Sequence, residues 1–203
     1  MIISFKDLSP DQVYYTLIQS IIPRPIAWIL SENANGSYNL APFSFFNGVC
    51  SRPPIVSISV GRKEDRSQKD TWNNIELREH FVIHIPHREA AEAVTASAAS
   101  LPAGDSEIQR LGLKTESVKG WPLPRLADAR IALLCKRYAI HAIGAAPQGL
   151  ILGEVKAAYI SDSISKLDKG RLTIDPKALD PVARLGGNDY ATLGDILTIK
   201  RPD

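Results

Sequence analysis

The 203-residue sequence predicts a mainly β protein, an antiparallel barrel with helices inserted between its strands. Three observations point there. Segments of strand character outnumber helical ones, the strands fall into hairpin-like pairs, and the strict β-α-β alternation of a doubly wound parallel sheet is missing. A single domain over residues 1–203 fits the length, because all-β barrels routinely reach this size undivided.

Ser9-Pro10-Asp11 opens a short helix, a capping hydroxyl followed by proline in the first turn, and the helix runs to about Ile18 before Pro23. Residues 26–31 (IAWILS) read as a buried strand. The polar 32–37 (ENANGS) carries Asn35-Gly36, a hairpin turn signal, and a return strand follows at 38–41. Residues 42–54, with Pro42, Gly48, Pro53 and Pro54, are expected to be irregular. In 55–60 (IVSISV), Ile55, Ser57 and Ser59 share one face, and Val56, Ile58 and Val60 share the other. A charged turn leads to a helix from about Asp70 to Glu79, then the strand FVIHI at 81–85. The alanine-rich 88–99 is helical by propensity, and Ser106 to Arg110 adds a turn. Long apolar strands follow at 129–143 and 149–160, and the chain ends in a short strand, DILTI at 195–199. No internal repeat or low-complexity tail interrupts this order.

Hydrophobic residues make up 44% and charged residues 23%, enough apolar material for a sizeable core. A net charge of +2 is too small to mark a nucleic-acid partner, and no stretch has the apolar length of a membrane span. The start, MIISFKDLSPDQ, lacks the basic and apolar regions of a signal peptide. Cys50 and Cys135 are far apart in apolar surroundings, so two buried free thiols and a cytoplasmic location are expected.

Several common catalytic devices are absent. No phosphate loop of the G-x-x-x-x-G-K-[ST] type, no G-x-G-x-x-G after a strand and no G-x-S-x-G elbow occurs. His80, His84, His87 and His141 do not combine with the cysteines in a zinc pattern, and the first three read as structural. An enzyme built on this chain is expected to borrow its reactivity from a cofactor.

Two segments suggest where a cofactor sits. Residues 62–71 (RKEDRSQKDT) lie between a strand and a helix start, where backbone amides lack intrahelical acceptors and the helix dipole favours an anion. Lys69 adds a charge, Ser67 and Thr71 add hydroxyls, and Arg62 can approach from the strand end. Asp70 repels a phosphate, so it is expected to cap helix amides or orient Lys69. An ordinary solvated turn with Asp70 or Thr71 as N-cap is the competing reading. In 39–46 (NLAPFSFF), Ala41 and Ser44 are small enough to let backbone amides approach a flat ring, and Phe43, Phe45 and Phe46 can shield it. A core-packing loop is the alternative there.

PRPIAWI at 23–29, NLAPFSFF at 39–46, RPPIVSISVG at 52–61, KDTWNNI at 69–75, FVIHI at 81–85, LILGEV at 150–155 and RLGGNDY at 184–190 follow one another in this order. Together they resemble the flavin reductase-like FMN-binding split-barrel family, closest to its flavoredoxin-like branch, over nearly the whole chain. The resemblance implies a six-stranded antiparallel split β-barrel of Greek-key type, a homodimer, and FMN near the subunit interface. By position it implies Asn39, Ala41, Pro42, Phe43 and Ser44 along the isoalloxazine and ribityl chain, and Ser59 and Arg62 beside the ribityl-phosphate arm. By the same carry-over Ser67, Lys69, Asp70 and Thr71 would form the phosphate end, with Arg24 and residues 184–190 as further candidates. It implies no catalytic side chain and no metal. On the resemblance, hydride would pass from NADH or NADPH to the flavin and on to a small-molecule acceptor, with the cofactor carrying the chemistry. A carrier that takes its electrons from a redox partner protein, and a non-redox flavin-binding member, are the alternatives. Gln148 stands where many flavin reductases of the family have a histidine before G-E-V, and glutamine cannot titrate. His141 reads as structural.

Overall fold

The computed structural model describes residues 1–145 and 147–202. Seven strands form one antiparallel sheet: β1 (Ala27–Glu32), β2 (Tyr38–Phe43), β3 (Phe46–Ser51), β4 (Pro54–Val60), β5 (His80–His84), β6 (Ile131–Ile143) and β7 (Gln148–Ile160). Their spatial order is β2-β1-β5-β6-β7-β4-β3. The outermost strands, β2 and β3, are consecutive in the chain and joined only by Ser44 and Phe45. Laid flat, the sheet would hold them six spacings of roughly 4.8 Å apart, whereas two linking residues reach on the order of 10 Å. The sheet therefore curls into a split barrel.

The count is seven strands, not six, because residues 46–51 are a strand and not the irregular segment expected. Their prolines mislead: Pro42 sits within β2, an outer strand of the order, where a missing N–H is tolerated, and Pro53 lies in the turn after β3. DILTI at 195–199 forms no strand, and Ile196, Leu197 and Ile199 are exposed. Cys50, on β3, is exposed rather than buried, while Cys135 is buried as expected, its thiol pushed above its ordinary pKa by desolvation.

Both faces of β1 are covered, which explains its unbroken apolar run. Ala27 and Ile29 join Val56, Ile58, Val60, Phe81 and Ile151 inside the barrel. Ile26, Trp28 and Leu30 pack outside it with Val82, Val94, Ile108 and Leu126. Val56, Ile58 and Val60 thus share the inward face, as the alternation of IVSISV predicts. In β7, a Cβ on Gly153 would stand 2.5 Å from the Phe81 ring and one on Gly149 2.7 Å from Trp72, so these glycines make room for the two aromatic residues.

Among the described residues the helices are α1 (Pro10–Ser20), α2 (Asp70–Arg78), α3 (Ala91–Ala96), α4 (Glu107–Arg110) and α5 (Pro176–Leu179). Ser9 and Gln12 close α1 with a reciprocal capping box. A small sheet of Arg24–Pro25, Ala183–Arg184 and Tyr190–Ala191 carries the 184–190 turn back to α1. Among the described residues, no helix is long and apolar enough to cross a membrane.

His84 is fully buried and structural. The Leu126 N–H donates to its Nε2 at 3.0 Å, so Nδ1 carries the proton and donates to the Trp28 carbonyl at 3.0 Å. Burial, with Arg125 nearby, lowers its pKa to about 4. Between that value and the unfolded value near 6.5, the unfolded chain binds a proton that the folded chain refuses. His84 therefore costs stability as pH falls through this window. We expect urea unfolding to show about 2 kcal/mol lost from this source between pH 7 and pH 5, and His84→Gln to flatten that slope. An identical slope in the variant would refute the assignment.

Candidate cofactor-binding site

Two cavities lie end to end along β2. The first, of about 240 Å³, is lined by Asn39 and Ala41 of β2, the cations Arg62, Lys63 and Lys69, the carboxylates Glu64 and Asp70, and Thr71, with the segment 97–101 and Glu107 opposite. The second, of about 270 Å³, is lined by Pro42 and Phe43 at the end of β2, by Ser44 of the β2–β3 turn, and by Tyr14, Thr95, Arg184 and Tyr190. Ala98 borders both, and the Lys69 ammonium stands 5.9 Å from the Phe43 ring centre, so the two form one run.

The first cavity is built at the N-terminus of α2. Lys69 is the N-cap residue, and no side chain caps the first amides of this nine-residue helix. Those amides keep their capacity for an anion, and the aligned peptide dipoles add to it. Arg62 is fixed by donating from Nε to the Pro147 carbonyl at 2.9 Å and from a terminal nitrogen to the Arg66 carbonyl at 2.9 Å. Both acceptors are neutral, and among the described residues no carboxylate pairs with Arg62 directly, although Glu64 lines the same cavity. Asp70 neither caps the helix nor orients Lys69, contrary to expectation. Its carboxylate holds Lys63 at 2.8 Å, a cation the sequence reading passed over.

Beneath the cavity a buried polar network seats α2 on the barrel. Asn39 donates from Nδ2 to Thr71 Oγ1 at 2.9 Å, and Asn74 donates from Nδ2 to Asn33 Oδ1 at 2.8 Å and to Ser31 Oγ at 3.2 Å. Thr71 is 1% exposed, so its hydroxyl belongs to the cavity floor, held by Asn39. Glu107, 7% exposed, accepts from the Leu40 N–H at 2.8 Å, and its burial raises its pKa.

The second cavity offers a different surface. Pro42, Phe43 and Ser44 present small and flat groups, next to Ala41 of the first cavity, and Arg184 stacks on Tyr190 at 4.6 Å, whose hydroxyl accepts from Thr95 at 2.8 Å. Arg24 does not face either cavity. It is 4% exposed and donates to the carbonyls of Ile18, Ile21 and Leu185 and to Ser44 Oγ, tying α1 and the 184–190 turn to the end of β2.

Nine of the eleven expected cofactor residues thus border the run: Asn39, Ala41, Pro42, Phe43, Ser44, Arg62, Lys69, Asp70 and Thr71. Ser59 and Ser67 do not. Ser59 belongs to β4, and the Ser67 hydroxyl is spent on Asp65 at 2.5 Å in its own turn. The opposite wall, Thr95 with 97–101, was read from sequence only as a helix-forming stretch. Its run of small residues after α3 was the available signal. Gln148 opens β7 as an exposed residue beside Gly61, and His141 is exposed rather than packed in the core.

The fold has counterparts among known proteins. The chain is 32% identical to nitrilotriacetate monooxygenase component B from Bacillus cereus, with a TM-score of 0.91 over 98% of each chain. It is 30% identical to a 2-nitrobenzoate 2-nitroreductase of Pseudomonas fluorescens, with a TM-score of 0.88 over 100% of this chain and 96% of that one. Flavoredoxin of Desulfovibrio vulgaris (Miyazaki F) shares the fold at 21% identity, with a TM-score of 0.75 over 98% of this chain and 97% of that one. The flavin reductase-like domain model matches residues 19–172, a span that takes in all seven barrel strands and α2. On that match, the chain belongs to the flavin reductase-like domain family.

Proposed function

We propose that the protein binds FMN along β2 and works as an NAD(P)H-dependent flavin reductase that passes electrons to a small-molecule acceptor. The observation that carries this reading is the uncapped N-terminus of α2, flanked by Arg62, Lys63 and Lys69, and continuous with a run of small and flat residues. A phosphate needs the first surface and an isoalloxazine the second. Together the two cavities fall within the roughly 300–1,000 Å³ usual for cofactor sites.

FMN, when bound, supplies the hydride chemistry, and no side chain of this protein is assigned a proton-transfer role. Arg62 and Lys69 neutralise the phosphate, and Lys63 offsets Asp70. Asn39 and Thr71 hold the floor beneath the ribityl chain. Backbone groups of 41–44 meet the ring, with Arg184 and Tyr190 across from them. Tyr14 and Phe45, 55% and 39% exposed near the ring end, are the natural contacts of a second copy in a homodimer. Support for an oxidoreductase also comes from the two relatives above 30% or at it, whose names describe a monooxygenase component and a nitroreductase. Gln148 favours a second reading, an electron carrier reduced by another protein, because no imidazole stands at that position.

Lys69→Ala should weaken FMN roughly tenfold or more, the scale of one charge-assisted hydrogen bond, while leaving riboflavin affinity within twofold. Fluorescence titration of both ligands checks this, and equal losses would remove Lys69 from the phosphate site. FMN-loaded protein should oxidise NADH or NADPH at a rate that rises with added free flavin. A yellow protein inert toward both nicotinamides would support the carrier instead.

A further inference from the structure

A third cavity, of about 390 Å³, lies away from the β2 run and is larger than either part of it. Its walls are Trp28, Leu126 and Ala129 from the barrel side, Ala90 and Ala93 from the α3 side, and Leu113. The α3 segment separates it from the proposed flavin site: Ala90 and Ala93 face this cavity, whereas Val94, Thr95 and Ala98 face the ring end of the other. Trp28 spans the partition, its indole N–H donating at 2.9 Å to Ser97 Oγ, whose residue lines the phosphate end.

The polar groups around this cavity are largely committed elsewhere. His84 uses both ring nitrogens on backbone partners. Arg130 donates to the Ala178 and Leu179 carbonyls at 3.0 and 3.1 Å and to Glu89 at 3.1 Å, and His87 stands 3.4 Å from the same carboxylate. Lys114 and Asp128, both exposed, add one charge of each sign at the rim. The interior therefore presents mainly apolar and aromatic surface, with its charged groups held at the rim, where Glu89 is paired with Arg130 and Lys114 and Asp128 are of opposite sign. Its volume suits one small molecule and is too small for a folded partner or a peptide of any length.

We propose that this cavity is a second small-molecule site, separate from the flavin site, that takes an uncharged aromatic compound of one or two rings. An ion would have to surrender hydration for an apolar wall, while a flat neutral ring gains burial against the half-buried Ile85, Ala90, Ala93 and Leu113, with the edge of Trp28 beside it. The argument stands without FMN, since no residue invoked for the flavin phosphate or ring contributes to these walls.

The test uses 2-naphthol as the probe and the indole N–H resonance of Trp28, assigned with Trp28→Phe, as the readout in ¹⁵N-labelled full-length protein. Saturable displacement of that resonance, unchanged when FMN is present in excess, is the expected result. Ala93→Phe and Ala90→Phe, which fill the cavity from the α3 side, should each weaken the probe at least tenfold and leave FMN affinity within twofold. Loss of 2-naphthol on adding FMN, no saturable shift at Trp28 in the folded wild-type protein, or full binding by both filled variants would overturn the proposal. Failure of FMN to bind, with the Trp28 shift intact, would instead count against the function proposed above and leave this site standing. Far-ultraviolet circular dichroism and the wild-type dispersion of the other indole resonances certify each variant as folded.

Discussion

The connection through Ser44 and Phe45 constrains everything around the site. It ties together the two strands that lie farthest apart in the sheet order, and so forces seven strands to curl instead of lying flat. Closure leaves β1 with both faces covered, one in the barrel interior and one under α3 and α4. It also sets the end of β2 against α3 and the 184–190 turn. Arg24 fixes that junction from below, donating to carbonyls of α1 and of Leu185 and to the Ser44 hydroxyl. A ring-sized cavity at this corner is thus a product of how the barrel closes.

A second constraint places the charged end. The network of Asn39, Thr71, Asn74, Asn33 and Ser31 is buried, and each hydrogen bond in it joins α2, β2 or the β1–β2 hairpin to another element. Buried polar groups left unpaired are costly, so the network fixes both the depth and the rotation of α2. With the helix held this way, its uncapped amides and the cations of the preceding turn share one cavity. Asp70 is paired with Lys63, so the carboxylate between Lys69 and Thr71 is offset instead of facing the anion end unpaired, and Arg62 and Lys69 are left as its working charges.

Much of this was legible in the sequence because it rests on local signals. The period-2 pattern of IVSISV, the Asn35-Gly36 turn, the Ser9-Pro10 start and the position of α2 are each written in a few neighbouring residues. The strand at 46–51 was not, since its exposed pattern of Phe, Asn, Gly, Val and Cys resembles a loop and its identity comes from pairing with β4. The same limit hid Lys63, whose place depends on a salt bridge across seven residues, and the 97–101 wall, which reaches the site only through tertiary packing. Ser67 was drawn in by its neighbours in the charged turn, but its hydroxyl closes a local turn with Asp65. DILTI has strand composition and no partner strand, so composition alone misassigned it.

The central claim is one of placement and direction: a flavin lying along β2 with its phosphate at α2 and its ring at the β2–β3 corner. A crystal structure of the protein with FMN tests this most directly. The account predicts the phosphate within hydrogen-bonding distance of Lys69, Arg62 and the first amides of α2, and the isoalloxazine against residues 41–44. Flavin density in the reverse direction, or in a different cavity, would contradict it.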